Sequence, residues 1–232
     1  MDAYNGLSAS EKSEALAKSF MVKVYGWMVF ALAVSGGIGF YLIKSGLIFK
    51  MLATPGIFYG CIILELVVVL AMSFLMNKMS VMVAGACLIA YSALNGVTFS
   101  VIGLAFDVRS IFSVFAITAG MFLAMSVYGA KTKASLNSAG RYLFMALIGI
   151  LIASVVNIFL KSSGLEWIIS LVAVAVFTGL TAYDTQKIIG ISKYNDESEH
   201  FGKIAIFGAL QLYLDFINIF IYLLRLFGSS KD

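Results

Sequence analysis

The chain has 232 residues, 61% of them hydrophobic and 12% charged, with a mean hydropathy of +0.99. A soluble domain is about a quarter charged, so this composition excludes a water-soluble globule and points to an integral membrane protein. The formal charge of +4 does not argue for nucleic acid. Lys and Arg sit mostly between the apolar runs, where membrane topology accounts for them, and no aromatic-plus-basic patch accompanies them.

In chain order, residues 1–23 are polar and mixed in charge. They lack the apolar core and small-residue cleavage site of a signal peptide, so the first span is expected to be retained. Ser8 followed by Glu11 matches a capping box and predicts a short helix leading into the membrane. Seven apolar runs follow, at 24–43, 57–76, 81–106, 111–130, 142–160, 167–189 and 204–227. Each is long enough for a hydrocarbon core of roughly 30 Å, which takes about 20 helical residues. Continuous runs rather than period-two alternation predict helices and exclude a barrel. The sole proline, Pro55, sits just before the second run, where a helix start tolerates it. Small residues in Ser35-Gly-Gly-Ile-Gly39 predict close helix packing. Connections are short except 190–202, leaving no room for a soluble domain. The expected division is an N-terminal cytoplasmic tail (1–23), a seven-helix membrane domain (24–227) and a C-terminal tail (228–232).

Basic residues set the expected orientation. Lys12, Lys18, Lys23, Lys78, Lys131, Lys133, Arg141, Lys187, Lys193 and Lys203 lie on the N-terminal side. Lys44, Lys50, Arg109, Lys161, Arg225 and Lys231 lie on the other. That bias predicts a cytoplasmic N-terminus and, after seven spans, a C-terminus outside. Cys61 and Cys87 each fall inside an apolar run as packing thiols, and no disulfide or metal framework follows. His200 is the only histidine, which rules out a two-histidine metal site.

The last run carries a polar stripe: Gly208, Gln211, Asp215, Asn218, Tyr222 and Arg225 share one helical face. A carboxylate in mid-membrane is costly, so that face must turn from lipid towards other helices or water. Polar groups as bundle glue would equally explain Gln211 and Asn218. Three acids lie within spans, Glu65, Asp184 and Asp215, whereas Asp107 and Glu166 sit at span ends within reach of headgroups. Lys187, three residues after Asp184, offers it a counter-charge. Counted from the 190–202 connection, Asp184 and Asp215 lie at depths of roughly 9–12 Å and 17 Å, and Glu65 at a depth like that of Asp215. A tilt or offset of the helices would bring the aspartates together. Two carboxylates in a poorly hydrated site cannot both ionise cheaply, so such a pair would share a proton.

Several of these residues carry a resemblance. Thr181-Ala-Tyr-Asp-Thr-Gln186 resembles the signature of the Bax inhibitor family, the transmembrane Bax-inhibitor-motif proteins. Leu212-Tyr-Leu-Asp-Phe-Ile-Asn218, continued by Phe220-Ile-Tyr-Leu-Leu-Arg-Leu226, is similar to that family's last helix. Tyr91-Ser-Ala-Leu-Asn-Gly-Val-Thr98 and Glu65 match further recurrent positions. The similarity runs from Lys18 onward, and the prokaryotic branch is nearest. It implies an all-α fold of seven transmembrane helices, with two three-helix layers around a central C-terminal helix. It also implies a pH-sensitive calcium leak gated by Asp184 and Asp215, in a bacterial inner membrane. Some bacterial relatives restrain a membrane-bound quality-control protease. Many relatives carry an arginine at the cytoplasmic end of the second helix. Here Ser73-Phe-Leu-Met-Asn-Lys78 has none, and Lys78 would supply only a point charge.

The expected function is therefore a calcium leak. Asp184 and Asp215 would be pH sensor and gate, Glu65, Gln211, Asn218 and Asn95 would line the pathway, and Lys78 and Lys187 would be counter-charges. Calcium prefers oxygen ligands, which Glu65, Asp184 and Asp215 would lend in passing. A protease regulator without transport is the alternative. An intramembrane aspartyl protease would use the same pair, but Leu212-Tyr-Leu-Asp215 lacks Gly-x-Gly-Asp, and a Pro-Ala-Leu element is impossible when Pro55 is the sole proline. Gly-x-Ser-x-Gly, His-Glu-x-x-His and phosphate-cradling loops are also missing, so no enzyme and no cofactor are expected.

Overall fold

The computed structural model describes residues 9–194 and 198–231, so the Ser8 half of the expected capping box lies outside the described residues. The described residues form eight α-helices: α1 (Ala9–Lys44), α2 (Leu47–Ala53), α3 (Pro55–Leu75), α4 (Val81–Ala105), α5 (Val108–Lys131), α6 (Asn137–Leu160), α7 (Ser163–Ser192) and α8 (Glu199–Phe227). A 3₁₀ turn, Met76–Lys78, joins α3 to α4.

Seven helices are long and apolar enough to cross a membrane, and they are the seven expected from the apolar runs. Several begin or end beyond those runs. The first runs unbroken from Ala9, so much of the expected tail is helix. A helix satisfies its backbone internally, so it need not stop where the apolar residues do. Met76 and Phe106, expected at span ends, lie outside the α-helices: Met76 opens the 3₁₀ turn and Phe106 bridges to Ser230. The most apolar windows of α3 and α6 are only 6% buried, against 67% for α8. Phe74 and Phe159 are each 81% exposed. In water such surfaces would aggregate; facing lipid, they fit.

The helices group into two compact units. The first holds the residues up to Ala105 together with Ile189–Tyr213. Here α1 crosses α4 closely: a Cβ at Gly39 would lie 3.1 Å from the Gly96 carbonyl oxygen, and one at Gly96 only 2.6 Å from the Ile38 Cβ. Of the small residues expected to pack, Gly39 and Ser35 do so, while Gly36 and Gly37 face open space. After α1 the chain reverses at Gly46, whose φ of +72° is the left-handed conformation that glycine adopts at least cost. The short α2 that follows buries Ile48 against Leu42 and Val97. Pro55 stands in the first turn of α3, as expected. Phe201, in the first turn of α8, meets Phe20 edge-to-face at 6.0 Å.

The second unit holds Phe106–Ile188 and the chain from Leu214 on. It contains α5, α6, most of α7 and the rest of α8. The α6–α7 corner is only two residues long. Lys161 there is left-handed (φ 50°) and its N–H donates to the Asn157 carbonyl at 2.8 Å. The chain end is tied down too, since the Asp107 N–H donates to the Ser229 carbonyl and the Ser229 N–H to Ser110 Oγ, both at 3.0 Å. The end of α7 from Ile189 belongs to the first unit, and α8 supplies residues to both, changing from one to the other after Tyr213.

Candidate functional site

The site is built on the segment Thr181-Ala-Tyr-Asp-Thr-Gln186 of α7, in the second unit, and most of its residues have an identifiable job. Successive helical residues point about 100° apart, so neighbours in sequence address different partners. Ala182 backs onto α5 at Gly129, where any Cβ would collide with the Ala182 carbonyl. Tyr183 lies over Gly140 of α6. Thr185 Oγ1 donates to Ser126 Oγ of α5 at 3.5 Å. Gln186 clamps the α5–α6 connection: its Nε2 donates to the Ala134 carbonyl (2.9 Å) and its Oε1 accepts from the Leu136 N–H (2.8 Å). With those directions taken by α5 and α6, Asp184 is left for α8.

A ring stack fixes the register of that meeting. Phe177 lies on Tyr222 with centroids 6.2 Å apart and planes 20° from parallel. Phe177 is seven residues before Asp184, and Tyr222 seven after Asp215. Seven residues are two turns, which return a helix to nearly the same face. In an antiparallel pair this sets Asp184 level with Asp215, and the Asp184 charge acts on Asp215. Asp184 is 8% exposed and Asp215 3%. Lys187 is exposed on the next turn and its charge acts on Asp184.

Aromatic rings pack around the Asp215 segment of α8. Beside Asp215, Phe216 meets Phe115 and Phe122 edge-to-face at 5.3 and 5.6 Å, and Phe220 adds a further ring against Phe115. Asp215 Oδ2 is buried and has no hydrogen-bond partner among the described residues; Thr178 Oγ1, a turn and a half before Asp184, has none either. A buried carboxylate oxygen without a partner loses its hydration for nothing in return, unless a proton, a water or a cation meets it.

Residues 17–232 match the protein family described as Inhibitor of apoptosis-promoting Bax1. The chain is 42% identical to the inner membrane protein YbhL of Escherichia coli (strain K12), over all of both chains. It is 43% identical to an uncharacterised protein of Borreliella burgdorferi, covering 96% of this chain and 97% of that one. An uncharacterised protein of Deinococcus radiodurans is 36% identical over 96% and 95% of the respective chains. The chain belongs to the Bax inhibitor family.

The other expected site residues of this Bax inhibitor family protein divide between the units. Glu65 on α3 is half-buried beside the side chains of Asn95, Thr98 and Tyr91 on α4, all in the first unit. Asn95 is 3% exposed, yet its amide nitrogen makes no hydrogen bond among the described residues. Lys78 is exposed in the 3₁₀ turn after α3. Gln211 is half-buried in the first unit. Asn218 donates to the Leu214 carbonyl of its own helix at 2.8 Å, so this amide serves α8 itself. Among the described residues no group of three or more His, Cys, Asp or Glu side chains stands ready to hold a metal ion.

Sequence reasoning placed Tyr91 and Tyr213 in family motifs but gave their side chains no partners. Tyr91 touches the Tyr213 ring edge-to-face at 5.9 Å, and the Tyr213 hydroxyl meets Ser35. A tyrosine inside an apolar run reads as bulk, although its hydroxyl, once buried, must find a partner. That requirement was the available signal.

Proposed function

We propose that this Bax inhibitor family protein is a slow calcium leak pathway whose opening is set by proton sharing between Asp184 and Asp215. The observation that carries the reading is the unpartnered Oδ2 of Asp215, buried level with Asp184. Protonation changes what holds α7 to α8, a hydrogen bond or a repulsion between carboxylates. In a partly dehydrated seam that difference is worth a few kcal/mol, on the scale that holds many opening equilibria. Lys187 tempers the Asp184 charge from the exposed side. Calcium is a hard ion that takes oxygen ligands, and two carboxylates without a closed ligand set suit passage rather than tight binding. Glu65, with Asn95 beside it, is a further oxygen-bearing station for the ion. The membrane is taken to be a bacterial inner membrane, as the name of the E. coli relative suggests, with the N-terminus cytoplasmic and the C-terminus outside by the charge bias.

The test is calcium flux into liposomes carrying the purified protein, measured across pH, with Asp215→Asn as control. Flux above empty liposomes that varies with pH in the parent and not in the variant supports the reading. Flux no greater than that of empty liposomes at every pH would sink it.

A further inference from the structure

A groove of about 490 Å³ opens at the end of the second unit where α6 turns into α7. It is lined by Asn157 and Lys161 from the α6 end, Glu166 and Ile169 from the α7 start, and Tyr222 and Arg225 from the last turns of α8. None of these residues takes part in the aspartate pair. Its size lies within the range of ligand sites, roughly 300–1,000 Å³. We propose that this groove binds the headgroup of an anionic phospholipid, with Lys161 and Arg225 on the phosphate.

Three observations carry the assignment. The first is charge: Lys161, Arg225 and Glu166 sum to one positive charge in a groove at the end of three apolar spans, the level where headgroups lie. Arg225 Nη1 stands 3.8 Å from Glu166 Oε1, with both side chains about half exposed. A pair that long and that wet is held weakly, so a phosphate can take the guanidinium from it. Among the described residues Lys161 forms no salt bridge, and it is positioned by its backbone, since the left-handed cap turns the chain there.

The second is the polar frame. Asn157 Oδ1 accepts the Ser162 N–H at 3.1 Å, which leaves the amide NH₂ for a phosphate oxygen. The Arg225 guanidinium lies over the Tyr222 ring, 5.5 Å from its centroid, which steadies the fork that matches phosphate geometry. The third is the wall for the tails. Ile158 of α6 lines the groove and is exposed, and the helix ends that frame it carry exposed Phe159, Leu160 and Trp167. A free anion has no use for such a wall, whereas acyl chains do, and an aromatic ring at headgroup level is a common anchor.

Native mass spectrometry of the full chain, released from detergent with lipids of matched tails, tests this. Phosphatidylglycerol should stay bound under activation that strips phosphatidylcholine and phosphatidylethanolamine. Lys161→Gln and Arg225→Gln should each weaken its binding about fivefold, the effect expected of one basic residue at a headgroup, and Arg225→Lys should weaken it less. Lys161→Gln stands in an exposed corner and carries the test if Arg225→Gln fails to fold. Inorganic phosphate alone should not compete. Equal retention of the three lipids, an unchanged affinity in the Lys161 variant, or displacement by inorganic phosphate would each overturn the proposal, the last by revealing a free-anion site.

Discussion

Ser35 on α1 and Tyr213 on α8, 178 residues apart in the chain, share a buried hydrogen bond of 2.7 Å. Its direction follows from counting protons. The serine has one, and carbonyls wait for it at Ser92 (2.8 Å) and Ala31 (3.0 Å), so the tyrosine O–H donates to Ser35 Oγ. Tyr213→Phe should therefore cost about 0.5–1.5 kcal/mol of stability, seen as a lower unfolding temperature in detergent. Calcium flux should keep its pH response in this variant, because the lost hydroxyl bonds Ser35 and neither aspartate. An unchanged unfolding temperature would show the bond to be worth nothing.

The aspartates give the sharpest functional expectation. Flux should vary between pH about 5 and 8, where a proton shared by two carboxyl groups can be gained or lost. Asp184→Asn and Asp215→Asn should each flatten that variation while leaving the protein folded, since an amide is nearly isosteric and does not titrate. Two folded variants that keep the full response would remove the pair from the sensor role.

Close packing between α5 and α7 should be unforgiving. Gly129→Ala puts a methyl group into the Ala182 carbonyl, so α5 or α7 must move, at a cost of about 1–3 kcal/mol or more. Gly120→Ala, on the same helix with nothing within 4 Å, should be neutral or gain up to about 1 kcal/mol from helix propensity. The comparison is read from thermal unfolding of the two variants. Equal effects would mean that the α5–α7 contact is looser than it looks.

Gln186→Ala releases both ends of the clamp on the α5–α6 connection. Trypsin should then cut faster after Lys131 and Lys133, with global stability lowered by about 1–3 kcal/mol for two hydrogen bonds. Digestion followed by mass spectrometry reads the sites directly. Cutting at the parental rate would assign the connection's order to other contacts.

Orientation can be read with reporters. A periplasm-active enzyme fused after Asp232 should be active, and a cytoplasm-active one silent, if the charge bias governs insertion. The reverse pattern would place the C-terminus inside and require revision of the proposed sidedness.

The seven spans were legible because a span needs only length and apolarity, and both are local. The short α2 was not, since seven residues behind a left-handed glycine leave no hydropathy signal; nor was the helical tail of α1, whose residues are polar. At the candidate site, Asp184 and Asp215 stood out by being acids in apolar runs. What hydropathy cannot carry is register. The level meeting of the aspartates rests on an offset between α7 and α8, and Phe177 and Tyr222, which mark that offset, look in sequence like ordinary aromatic filler. Nor does a polar face foretell a hydrogen-bond partner: the Asn218 amide turns back to donate to the Leu214 carbonyl of its own helix.

Because α8 belongs to both units, it has a consequence for biosynthesis. It is made after the other seven helices, and until it inserts, Ser35 lacks the tyrosine hydroxyl and Asp184 lacks its opposing carboxyl. A ribosome-bound or truncated chain without α8 would therefore hold two half-built bundles in the bilayer, each exposing polar groups that lipid cannot satisfy. Such a chain should stay with the insertion machinery or be degraded, and release should coincide with the arrival of one helix.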